Sequence, residues 1–152
     1  MRYMEWLIHR VMYFLINLST CKIQGKDGFS YSEDDNHEKM IKHYGSVKIE
    51  DNVNIGSNCY IARGTIDETI IRKGSKINNL CHIAHNVEIG ENSTLIAGSI
   101  IYGSAKLGKN NYVATGIVRN QCKLVDNVTV GMGAVVVKDI EENKTVKGIP
   151  VK

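Results

Sequence analysis

An all-β fold, built as a parallel β-helix of about five triangular coils behind a short N-terminal α-helix, is what this sequence predicts. Three observations carry that expectation. An aliphatic residue returns at every sixth position, a small residue follows it four places later, and one apolar run stands apart near the N-terminus.

The six-residue step is clearest from Ile71, which leads to Ile77, Ile83, Ile89, Leu95, Ile101, Leu107 and Val113. The same step gives Ile49, Ile55 and Ile61 upstream, and Leu124, Val130 and Val136 downstream. Between Ile61 and Ile71 the spacing is ten, which marks a four-residue insertion around Asp67 to Ile70. Between Val113 and Leu124 it is eleven, one short of two repeats, with Val118 as the phased position. The small series runs Val53, Cys59, Thr65, Ser75, Cys81, Val87, Ser93, Ser99, Ala105. One bulky aliphatic and one small inward residue per six is the pattern of a hexapeptide β-helix. Three such units make a coil of about 18 residues, and coils stack as parallel strands ~4.8 Å apart.

At 152 residues the chain is most simply one domain. Residues 1–24 read as an amphipathic helix, 25–46 as a loop or cap, 47–140 as the β-helix and 141–152 as a C-terminal loop. The helix WLIHRVMYFLINL is interrupted by His9 and Arg10, and its uncharged part is shorter than the ~20 residues that span a bilayer. It is expected to pack on the solenoid and, with the loop after it, to cover one open end. The tail from Glu141 covers the other. Membrane contact through this helix is the lesser alternative, and a cytoplasmic location follows. A net charge of +3 without a Lys/Arg run excludes nucleic acid as a partner. The four cysteines include no CxxC pair, so neither a zinc site nor a disulfide framework is expected. Cys59, Cys81 and Cys122 fall in the small inward slot.

The segments GKDGFSY (25–31), RGTIDETII (63–71), KINNLCHIAHNVEIGENSTLIAG (76–98) and YGSAKLGKN (102–110) carry a resemblance. They resemble the hexapeptide-repeat acyltransferases, above all the β-helix domain of the UDP-3-O-acylglucosamine N-acyltransferases. The ending GMGAVVVKDIEENKTVKGIPVK resembles that of small sugar acetyltransferases that use acetyl-CoA. The resemblance implies a left-handed coil, a homotrimer with clefts shared between subunits, and a small-molecule sugar as acceptor. It also implies a second histidine downstream, whose place falls by register at Gln121 or Cys122.

His82 and His85 raise the chemical question. No third ligand sits at a convincing spacing beside them, so no metal is expected. A neutral imidazole suits proton removal from an attacking amine or hydroxyl, and the resemblance gives that role to His85. Gly103 stands 18 residues after His85, in the same column, where its N–H would receive the oxyanion. His82 is expected to contact the acceptor and Asn86 to orient His85. Asp67, a further 18 residues before His85, is expected in the same column as a sugar or amine contact. For acetyl-CoA or another acyl-CoA, Gly116, Gly133 and Ala134 would offer backbone groups, and Lys138 and Lys147 would meet the phosphates. The expected function is transfer of an acyl group, foremost acetyl, from a CoA thioester to the amine of a free or nucleotide-linked amino sugar. The alternatives are N-acyl transfer from acyl carrier protein, sugar O-acetylation, and a non-catalytic β-helix paralogue.

Overall fold

A computed structural model describes residues 25, 27–32 and 39–151. The helix expected over residues 1–24 lies outside them. Within them the chain forms sixteen strands of two or three residues in three parallel sheets of five, six and five strands. Nearly every strand closes on a phased aliphatic residue. Ile49, Ile71, Ile89, Leu107 and Leu124 stack as partners in one sheet. Ile55, Ile77, Leu95, Val113, Val130 and Val146 stack in the second. Ile61, Ile83, Ile101, Val118 and Val136 stack in the third. Val118 therefore holds the phased position across the shortened coil.

The architecture is a parallel β-solenoid of about six turns, where about five were expected. The extra turn comes from the tail. Thr145–Val146 pairs with Thr129–Val130, and Val151 folds back to donate its N–H to the Val135 carbonyl at 3.0 Å. A segment read as a loop thus continues the ladder, because the terminal turn gains backbone partners by doing so.

The core is one column of aliphatic side chains, from Ile55 to Val151, flanked by the small slot. Polar members of that slot bond upward into the next coil. Ser75 donates to the Gly90 carbonyl at 2.9 Å and Ser93 to that of Gly108 at 3.0 Å. Thr65 does not belong to the slot. It is half-exposed, and the fully buried Thr69 takes its place. The insertion therefore lies in residues 62–68, ahead of Thr69–Ile71, rather than at 67–70. It folds so tightly that a Cβ on Gly64 would sit 1.8 Å from the Asp67 carbonyl oxygen. The inward-facing Thr69 must resume the strand phase, so the extra residues bulge before it.

Corners explain the richness in asparagine. Asn52, Asn58, Asn86, Asn92, Asn110, Asn127 and Asn143 all have φ between 54° and 58°, a conformation asparagine tolerates better than bulkier residues. Leu80 occupies an equivalent corner at φ 60° with its side chain 62% exposed. Leu80→Asn is expected to stabilise the fold by about 1 kcal/mol, or roughly 2–4 °C in Tm, read by thermal unfolding.

Residues 27–32 and 39–46 form a small hairpin, bridged at Tyr31 and Met40, laid on the side of the first coils. The Tyr60 hydroxyl donates to the Asp27 carbonyl at 3.2 Å, and the Arg63 guanidinium donates to that of Gly25.

Candidate active site

His85 follows the strand His82–Ile83 by two residues, just past a corner. The parallel ladder brings the next coil beneath it. Ile83 pairs with Ile101, so Gly103 stacks on His85 as the 18-residue count requires. A Cβ on Gly103 would lie 2.8 Å from both Cε1 and Nε2 of the His85 ring. Only glycine leaves room for the imidazole there. The Gly103 carbonyl accepts from the Gln121 N–H at 3.0 Å. Its own N–H donates to no protein group among the described residues.

The proton on His85 can be placed from its neighbours. Asn86 Oδ1 accepts from the Thr65 N–H at 3.0 Å and from the Thr65 hydroxyl at 2.9 Å. That oxygen is therefore oriented as an acceptor, and His85 Nδ1 lies 3.1 Å from it. Nδ1 must carry the hydrogen, which leaves the lone pair on Nε2 against Gly103. Asn86 thus fixes the orientation of the His85 ring.

His82 and His85 line one cleft of about 740 Å³ with Phe29, Tyr60, Tyr102, Asn120 and Gln121. Their shared cleft was not legible from their places on either side of a corner. The His82 ring stacks on Tyr60 with centroids 5.0 Å apart and planes 12° apart, and Tyr102 stands 6.5 Å away. Among the described residues that line the cleft there is no lysine, arginine or carboxylate. Burial lowers the pKa of His82 below the usual imidazole range, so it serves as a neutral aromatic wall. The unfolded chain then takes up the proton first, so stability contributed by neutral His82 is lost as pH falls below the unfolded value near 6.5. The Tm is expected to drop between neutral pH and about pH 5, and less so in His82→Gln.

Asp67 is not in the His85 column. Ile61 pairs with Ile83 across the insertion, so register puts Arg63 there. Four additional residues shift Asp67 round the corner into a separate groove of about 580 Å³, with Glu68, Asn86, Glu88 and Lys106. Two expected cofactor contacts also turn inward. Gly116 fills the small slot, where a Cβ would meet Val130 at 2.9 Å, and its carbonyl accepts from Ile100. Ala134 is fully buried, and both its backbone groups are taken, by Gly131 and Ile117. Gly133, Lys138 and Lys147 are exposed, and Gly133 is an open corner with nothing within 4 Å of a Cβ. Among the described residues no three His, Cys, Asp or Glu gather into a metal cluster.

Gln121, at the place implied for a second histidine, lines the cleft. His43 was missed. It lies outside the repeat, so no periodicity phases it, yet it is 1% exposed and edge-on to His85, with centroids 5.4 Å apart. Tyr60 could have been found, since it precedes Ile61 as His82 precedes Ile83.

Residues 46–79 match the family model described as the hexapeptide repeat of succinyl-transferase. The chain is 38% identical over 129 residues to the UDP-3-O-acylglucosamine N-acyltransferase of Campylobacter lari, covering 84% of this chain and 40% of that protein. It is 47% identical over 87 residues to UDP-3-O-acylglucosamine N-acyltransferase 2 of Sulfurimonas denitrificans, covering 57% of this chain and 27% of that protein. The chain thus spans two fifths or less of the length of these curated relatives. Among solved structures, the Arabidopsis UDP-N-acetylglucosamine acyltransferase superposes with a TM-score of 0.68 at 26% identity, over 70% of this chain and 38% of that one. No helix among the described residues is long and apolar enough to cross a membrane. The phased solenoid carries the hexapeptide repeat and is similar to the corresponding part of these acyltransferases.

Proposed function

We propose that this protein transfers an acyl group from a thioester to the amine of an amino sugar, free or nucleotide-linked, with His85 as general base. One observation carries the reading. The His85 ring has Nδ1 committed to Asn86 and Nε2 turned to Gly103, at an aromatic cleft without formal charge. Such a wall suits the C–H faces and hydroxyls of a pyranose. The names of the relatives, which act on UDP-3-O-acylglucosamine, support the same acceptor class.

In the step, the amine nitrogen attacks the thioester carbonyl while His85 Nε2 takes its proton. The negative charge that develops on the carbonyl oxygen is met by the Gly103 N–H. Collapse breaks the C–S bond, and the proton passes from His85 to the departing thiolate. His82 and Tyr102 hold the acceptor ring. Acetyl-CoA is the first donor to try, with Gly133, Lys138 and Lys147 as its contacts on this chain. The left-handed coil, a homotrimer that completes the cleft and a cytoplasmic location belong to the same reading. A monomer at micromolar concentration by light scattering would count against the shared cleft.

The test is a chain-length series of acyl-CoA thioesters offered with glucosamine and with UDP-glucosamine, with the N-acyl product read by mass spectrometry. Binding of coenzyme A, acetyl-CoA and a long-chain acyl-CoA is measured by calorimetry alongside. An N-acyl product is the expected result, and absence of product and binding throughout would remove it. A second reading, with acyl carrier protein as donor, is favoured by the inward turn of Gly116 and Ala134, and is tested with acylated carrier protein. Tyr102→Ala is expected to raise the acceptor KM about tenfold, the equivalent of 1.4 kcal/mol, with kcat changed less than about threefold.

A further inference from the structure

The geometry points to His43 as a positioning residue for the base: it holds Gly28 against the His85 ring and so keeps Nε2 turned to Gly103. The inference rests on the reading of His85 given above. Each side of the His85 ring has an identified neighbour. Nδ1 meets Asn86 Oδ1, and Cε1 and Nε2 meet Gly103. Gly28 covers the remaining edge. A Cβ on Gly28 would lie 3.1 Å from His85 Cδ2, 3.3 Å from His85 Cβ and 2.9 Å from His43 Cε1. Gly28 is thus a spacer between two imidazoles, and no larger residue fits.

His43 fixes that spacer by a hydrogen bond. The Gly28 N–H donates to His43 Nδ1 at 3.0 Å. The Arg63 carbonyl also lies 3.4 Å from Nδ1, but the Gly28 contact is shorter and a backbone N–H can only donate, so Nδ1 presents its lone pair and the ring's hydrogen sits on Nε2. With both nitrogens so committed, neutral His43 has no lone pair left for a substrate proton. The amine proton therefore goes to His85. The two rings meet edge to face, at 80°, so the cation that forms on His85 faces a neutral aromatic neighbour. His43 Nε2 is buried without a hydrogen-bond partner among the described residues. Burying an unpaired donor is unfavourable, which a hydrophobic side chain would avoid. The histidine offers in return an acceptor at the one distance from Gly28 that seats the hairpin on the base. Other fastenings seat the hairpin on the coil, from the Tyr60 hydroxyl to the Asp27 carbonyl of the same peptide, from Arg63 to Gly25 and from the Tyr44 N–H to the Thr65 carbonyl, but only His43 meets both Gly28 and the His85 ring.

Three variants test this. His43→Phe keeps a ring and loses the acceptor, His43→Gln keeps an acceptor, and Gly28→Ala crowds the base directly. His43→Phe and Gly28→Ala are expected to lower kcat about 10–100-fold, with the KM for acyl-CoA unchanged, and His43→Gln to stay near wild type. In the His85→Ala background, His43→Phe should lower the residual rate no further, since there is no base left to position. Long-range ¹H–¹⁵N spectra of the imidazoles, which need no substrate, should report the Nδ1–H form of His85 in wild type and His43→Gln and a tautomer mixture in His43→Phe. Unchanged kcat and tautomer in His43→Phe would overturn the proposal. So would an equal loss with and without His85. If His43→Phe fails to fold, Gly28→Ala and the spectra of His43→Gln decide in the same way. Should His85→Ala prove fully active, the reading of the base fails, while the tautomer spectra still judge the positioning.

Discussion

His85→Ala is expected to lose about 10²–10⁴-fold in kcat, the usual contribution of a positioned general base, while the fold and the binding of the thioester stay intact. The ring is half-exposed on a corner and outside the aliphatic column, so its removal leaves no cavity in the core. Circular dichroism and Tm should match the parent. Asn86→Ala should give a smaller loss, because Nδ1 then lacks the acceptor that selects its tautomer. Full activity in His85→Ala would remove the mechanism.

The second large effect is expected from Gly103→Ala, a single methyl group. The added Cβ would lie 2.8 Å from the nitrogen that takes the proton and from the carbon beside it. Real Cβ contacts do not come that close, so the imidazole must swing away. Asn86 and Gly28 hold its other edges, so a tilt breaks the hydrogen bond at Nδ1 or presses on the hairpin. A displacement of about 1 Å in a reacting group costs on the order of 10²-fold. kcat should fall by about that factor, with little change in Tm, because Gly103 lies outside the core cluster. The rate as a function of substrate concentration separates this from a binding defect. A fall in KM-dependent terms alone would mean that Gly103 lines the acceptor site without touching the base.

Much of this was legible before any coordinates. The six-residue phase assigned nearly every buried aliphatic residue, including Val118 across the shortened coil, because one inward position per strand leaves no other solution. The stack of His85 on Gly103 was legible too, since the step of 18 residues between them holds no insertion or deletion. Asp67 was misplaced for the same physical reason. Counting by 18 fails where an insertion lengthens the coil, and the shift carried Asp67 into a neighbouring groove. Thr65 failed with it, displaced from the inward slot by Thr69. Gly116 and Ala134 show a different limit. A small residue is called for equally by a tight core and by an open ligand surface, and composition does not separate them.

What the sequence by itself determined is the solenoid, its register and the pairing of one histidine with one glycine. Those follow from a local rule repeated coil after coil. What only the tertiary structure decided lies outside the repeat: that residues 27–32 and 39–46 fold against the side of the coil, and that His43 and Gly28 meet His85. Those contacts join residues 15 to 57 positions apart with no common period. Only the closing of the hairpin on the coil brings them together.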